Sequence, residues 1–100
     1  MRVLMKVSIP AEAGSRAIAE GKLLELVTGF LDRAKPEAAY FLPEHGKRTA
    51  MFFLDLERPD QVPELAEPFF ANLGASVEMT PAMNAEDVKA GIRKAMEKNR

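Results

Sequence analysis

The chain has no cysteine and no tryptophan, one histidine, one tyrosine and almost no net charge. Without cysteine there is no disulfide, no thiol nucleophile and no zinc–thiolate site. The single histidine, His45, excludes an all-histidine metal site within one chain. Fourteen Lys and Arg stand against 15 Asp and Glu, a net charge of −1. The basic excess that a dedicated nucleic-acid binder uses to offset phosphate is therefore missing. No apolar run approaches the ~18 residues of a membrane span. Lys6 interrupts the N-terminal apolar run Val3-Leu4-Met5, so a signal peptide is not expected. These absences predict a cytoplasmic chain that binds neither nucleic acid nor membrane, with no metal and no cofactor.

What is present is enough for one core. The chain has 100 residues, 47% of them apolar and 29% charged, which fits a single folded domain spanning 1–100. The first fifty residues carry 8 basic and 6 acidic groups and the second fifty 6 and 9. That asymmetry is too small to mark a charged tail.

Residues 2–9 alternate, with Val3, Met5, Val7 and Ile9 on one side and Arg2, Leu4, Lys6 and Ser8 on the other, the pattern of a half-buried strand. Leu23, Val27, Phe30, Leu31 and Ala34 form one helical face, predicting a helix over 22–34 that ends before Pro36. Residues 11–21 read either as a separate short helix or as an irregular approach. Strands at 38–43 and 48–56 flank Glu44-His45-Gly46-Lys47, a hairpin signal. A two-residue turn at His45-Gly46 would pair Tyr40 with Met51. A three-residue loop would pair Tyr40 with Ala50 and turn it over, and histidine's poor tolerance of left-handed backbone slightly favours this second register. Asp60 is placed to cap a helix over 61–73 that contains Pro68. Residues 75–80 alternate again, and Asn84 is placed to cap a last helix near 85–97, whose apolar stripe is only Val88, Ile92 and Ala95 or Met96. Such a helix should dock on a surface rather than fill a core.

The order β-α-β-β-α-β plus a C-terminal helix is the α+β, ferredoxin-like plan. Right-handed crossovers give an antiparallel sheet in order 4-1-3-2 with two helices on one face. The covered face is Val3, Met5, Val7, Ile9, Ala50, Phe52, Leu54, Leu56, Val77 and Met79. The other face is mixed, and Leu4, Met51 and Phe53 would leave an apolar patch of the kind that marks a contact surface. A homodimer whose sheets close over each other is the economical solution. The enclosed space would be lined by apolar side chains with Lys6, Asp55 and Glu78.

This architecture resembles the dimeric α+β barrel superfamily, which includes muconolactone isomerases and cofactor-free monooxygenases. More narrowly, five stretches resemble an uncharacterised family of bacterial proteins of about this length. They are Glu12-Ala13-Gly14-Ser15-Arg16-Ala17-Ile18, Lys35-Pro36-Glu37-Ala38-Ala39-Tyr40-Phe41, Gly46-Lys47-Arg48-Thr49, Ala66-Glu67-Pro68-Phe69-Phe70 and Val77-Glu78-Met79-Thr80-Pro81-Ala82-Met83. The resemblance implies the fold and no particular activity, because fold does not carry function.

Lys6 and Glu78 fall on adjacent strands and face the same side. They could hold a polar ligand or move a proton in a dry cavity, or simply form a cross-strand ion pair. Asp55 on the same face could be a general base or a solvated strand end. Tyr40, Met51 and Phe53 could line an apolar pocket or pack a dimer interface. Ser15 and Arg16, after Gly14, could offer N–H groups and a guanidinium to an anion at a helix start, where ordinary capping is the competing reading. His45, in a turn, lacks an orienting partner. The expectation is a homodimer that binds a small molecule between its sheets. The alternative is a cofactor-free isomerase or monooxygenase acting in that cavity. An RNA-binding domain of the same element order would need stacking aromatics on the first strand, and there are none.

Overall fold

In the computed structural model, which describes residues 1–98, the elements are β1 (Arg2–Ile9), α1 (Ala11–Ala19), α2 (Lys22–Ala34), β2 (Ala38–Glu44), β3 (Lys47–Asp55), α3 (Gln61–Leu73), β4 (Ser76–Pro81) and α4 (Ala85–Lys98). The strands form one four-stranded sheet in the order β2-β3-β1-β4, antiparallel throughout. It is the expected α+β sheet, read from its other edge. Residues 11–19, left open by periodicity, are helical, and the break before α2 falls at Gly21.

Alternation places the core. Val3, Met5, Val7 and Ile9 of β1 and Ala50, Phe52 and Leu54 of β3 are buried under Ala17 of α1, Phe30 of α2 and Phe69 and Leu73 of α3. Val77 and Met79 pack against the same cluster, partly buried on β4. Three buried rings, Phe30, Phe52 and Phe69, form its centre, and the exposed Phe41 touches it from the edge strand. Phe30 lies 4.6 Å from Phe52 and 5.0 Å from Phe69 between ring centroids, and Phe41 meets Phe52 edge-on at 5.8 Å. The edge-on contacts suit the ring quadrupoles. The adjacent Phe69 and Phe70 part company, 1% and 43% exposed, because consecutive helical residues point about 100° apart.

The hairpin takes the register that histidine seemed to disfavour. Tyr40 pairs with Met51 and Glu44 with Lys47. The turn is His45-Gly46, with φ of 53° and 75°. Two left-handed residues make the turn whose twist matches the strands it joins, and glycine meets that demand at the second position. In this register Phe41 lies on the covered side, 55% exposed with its ring edge-on to Phe52, and the hydroxyl-bearing Tyr40 faces the other way.

The helix ends also differ from expectation in one case. Asp60 does not cap α3. Its own backbone is helical, no side-chain cap bond forms, and its carboxylate accepts from Arg58 Nε at 3.0 Å. The Gln61 side chain instead accepts from the N–H groups of Glu57 and Arg58, at 2.7 and 2.9 Å. Asn84 does cap α4. Its Oδ1 accepts from the Asp87 N–H at 2.8 Å, and Asp87 Oδ2 accepts from the Asn84 N–H at 3.1 Å, a reciprocal box.

α4 docks on no surface of its own chain. None of its residues is buried, and it makes no substantial contact with another element among the described residues. The radius of gyration is 16.3 Å, against about 13 Å for a compact domain of this length, because α4 stands off the body. No helix of the described residues is long and apolar enough to cross a membrane.

Candidate functional site

The uncovered sheet face is set by β-register. Its rows across β4, β1, β3 and β2 are Thr80-Leu4-Phe53-Ala38, Glu78-Lys6-Met51-Tyr40 and Ser76-Ser8-Thr49-Leu42. The β2 side is apolar and the β4 side polar. Leu4, Met51 and Phe53 are half-buried, while Tyr40 is 63% exposed.

Lys6 is the centre of charge on this face. Its Nζ donates to Glu44 Oε1 at 2.9 Å and lies 3.6 Å from Glu78 Oε2. The expected Lys6–Glu78 neighbours are thus together, but the closer partner is Glu44, at the end of β2. Lys6 stands opposite Met51 and Glu44 opposite Lys47, so their bridge spans Thr49. That threonine is only 4% exposed, and its Oγ1 donates to the Lys47 carbonyl at 3.1 Å. His45 Nε2 lies 3.6 Å from Glu44 Oε1, with the imidazole 88% exposed at the turn. Lys6, Ser8, Glu44, His45, Ser76 and Glu78 line a groove of about 280 Å³.

The bridge favours the charged form of both partners. The hydrogen bond to Glu44, opposed by partial desolvation and helped by the charges of Glu44 and Glu78, raises the Lys6 pKa above its ordinary value. The same hydrogen bond holds the Glu44 carboxyl below its own. At neutral pH Lys6 is a locked ammonium and Glu44 a locked carboxylate. Neither is poised to exchange a proton, which a general acid or base must do.

The pH dependence follows from these directions. The lowered Glu44 pKa contributes stability that is whole above the ordinary carboxyl value of 4.5 and is lost as pH falls through the folded value. The raised Lys6 pKa contributes stability that is whole below 10.5 and is lost as pH rises through its folded value. Glu44→Gln should therefore be less stable than wild type at pH 7, with the gap closing in acid. Urea melts of both proteins at fixed protein concentration measure this, and a gap that persists undiminished at pH 2 would show that the bridge is not its source.

Other sequence-derived candidates fall elsewhere. Asp55 faces the same side but sits opposite Arg2, four positions along β1 from Lys6, a distance of about 13 Å at strand rise. It accepts from the amino group of Met1 at 2.8 Å, a contact that holds its carboxyl below the ordinary value. Ser15 and Arg16 lie within α1, on the covered side of the sheet. Their stretch is no helix start, for the Gly14 N–H already donates to the Pro10 carbonyl at 2.9 Å. Ser15 Oγ accepts from Arg48 Nη2 at 3.4 Å. Gly14 serves a close approach. A Cβ there would stand 3.0 Å from Arg48 Nη1 and 3.1 Å from Ile9 Cγ2. Arg16 lines a different groove with Lys22, Arg33 and Asn72, between α1, α2 and the end of α3.

Sequence reasoning missed Glu44, which it assigned to the hairpin turn. The signal was the register. With Tyr40 paired to Met51, alternation along β2 puts Glu44 on the face of Tyr40. Among the described residues no three His, Asp or Glu side chains converge as metal ligands. The chain matches no family model and no curated protein.

Proposed function

We propose that the chain is a ferredoxin-like protomer of a cytoplasmic homodimer of the dimeric α+β barrel type, and that it binds a small molecule between its two sheets. The observation that carries this reading is the uncovered sheet face, where Leu4, Met51, Phe53 and Tyr40 adjoin the Lys6–Glu44–Glu78 cluster. Apolar side chains on a sheet face call for a cover. A second copy supplies one with two-fold symmetry and encloses the charged groove together with the apolar patch. The strand order supports the ferredoxin-like plan, with α1 and α2 together standing where that plan has its first helix. The five stretches that resemble the uncharacterised bacterial family include Tyr40, Thr49 and Glu78 of this face.

The pocket suits a ligand with an apolar body and a hydrogen-bonding head. The Lys6 ammonium has three donors and spends one on Glu44, so it can offer another to an acceptor. Glu78, farther from Lys6 and 69% exposed, can receive a donor. Locked protonation states favour binding over the alternative of cofactor-free isomerase or monooxygenase chemistry, and Asp55 is too far from the cluster to join it.

Native mass spectrometry of freshly purified protein tests this. The expected spectrum shows two chains plus a discrete mass that is lost on denaturation. Lys6→Met should lose that added mass while remaining a dimer. A monomer at micromolar concentration, or a dimer with only the bare chain masses, would overturn the reading.

A further inference from the structure

We propose that α4 is a dimerisation arm that pairs antiparallel with α4 of a second copy of this chain, the two Ile92 side chains meeting at the two-fold axis. The pairing goes beyond the closure of the sheet faces and does not depend on it.

α4 needs a partner that its own chain does not provide. It is tethered at its start by Ala82 N–H donating to the Arg2 carbonyl at 3.0 Å and by Arg2 Nη1 lying 3.8 Å from Asp87 Oδ2. Beyond that turn it stands in solvent. A helix of 14 residues with a glycine inside is marginal in water even when well capped, and most helical stability comes from packing an apolar face. Val88, Ile92 and Met96 form such a face at i, i+4 and i+8, and all three are exposed.

The stripe is self-complementary. Ile92 lies at the middle of the helix, with Val88 one turn before it and Met96 one turn after. An antiparallel pair about a two-fold at Ile92 sets Val88 against Met96 of the partner subunit, twice. Gly91 and Ala95, beside the stripe, allow close approach of the helix axes. Charge chooses the direction. The half before Ile92 carries Glu86, Asp87 and Lys89, net −1, and the half after it Arg93, Lys94, Glu97 and Lys98, net +2. Antiparallel pairing sets the net-acidic half against the net-basic half of the partner, with Glu86 against Lys98 and one like pair, Asp87 against Glu97, whereas parallel pairing sets each half against its own charge.

The absence of native cysteine makes the register directly readable. Ile92→Cys should run as a disulfide-linked pair on a non-reducing gel after mild oxidation. Val88→Cys and Met96→Cys should each remain unlinked alone and link when the two variants are mixed. These positions are exposed, so circular dichroism should show each variant folded as wild type. Self-linking by Val88→Cys and Met96→Cys would mean a parallel pair and overturn the proposal. Absence of any linking, with the helix intact, would assign the stripe to another surface and overturn it too. The sheet-face dimer is scored separately by Phe53→Asp, so either interface can fail alone.

Discussion

Phe52→Ala should cost about 3–5 kcal/mol of folding stability, the range for truncating a buried aromatic. Phe52 is fully buried at the centre of β3, with Phe30, Phe41 and Phe69 around it at 4.6, 5.8 and 6.2 Å. These rings come from α2, β2 and α3, elements held apart by their own backbones, so the space left by the ring cannot close. The loss combines transfer of the ring to water, a residual cavity and three aromatic contacts at once. A domain of this kind has about 5–15 kcal/mol in all, so the variant should be partly unfolded at mild temperature. Denaturant melts measure it, with Phe70→Ala as the exposed control. A cost under about 1 kcal/mol would mean that the ring cluster repacks freely.

Phe53→Asp, one residue along, should act in a wholly different way. Phe53 points to the uncovered face, in the row with Leu4 and Ala38. In the proposed sheet-to-sheet dimer the substitution buries an unpaired carboxylate, and two-fold symmetry imposes it twice. A penalty of about 3 kcal/mol is a loss of roughly a hundredfold in dimer affinity. The isolated protomer should tolerate the change, because an aspartate on an uncovered sheet face is solvated. Sedimentation across a dilution series should therefore show the variant as a folded monomer where wild type is a dimer. A variant that stays dimeric with unchanged affinity would remove Phe53 from the interface. Phe52 and Phe53 thus separate the core from the uncovered face by the direction of their side chains alone.

Much of this molecule is legible from the order of its residues. Period-two alternation marked β1, β3 and β4 and sorted their side chains to the covered and uncovered faces. Period 3.6 marked α2 and selected Phe30 for the core. Asn84 announced the start of α4. Each of these signals is local, and burying one face of an element is a demand that neighbouring residues can express.

The candidate site was only half legible, and its missing half depended on a turn. Both hairpin registers were compatible with local preferences. The tertiary structure chose the one that sends Phe41 onto Phe52 and keeps the Tyr40 hydroxyl out of the core. That choice carried Glu44 onto the uncovered face, where it became the closest partner of Lys6 although 38 positions separate them. The sequence by itself therefore determined the four strands, the helices α2 to α4 and the sorting of β1, β3 and β4 between the covered and uncovered faces, because alternation and helical period are properties of adjacent residues. Only the tertiary structure decided that Lys6 is bound to Glu44, that Asp55 stands apart from both and that α4 is left without cover, because these depend on the register and reach of elements far apart in the chain.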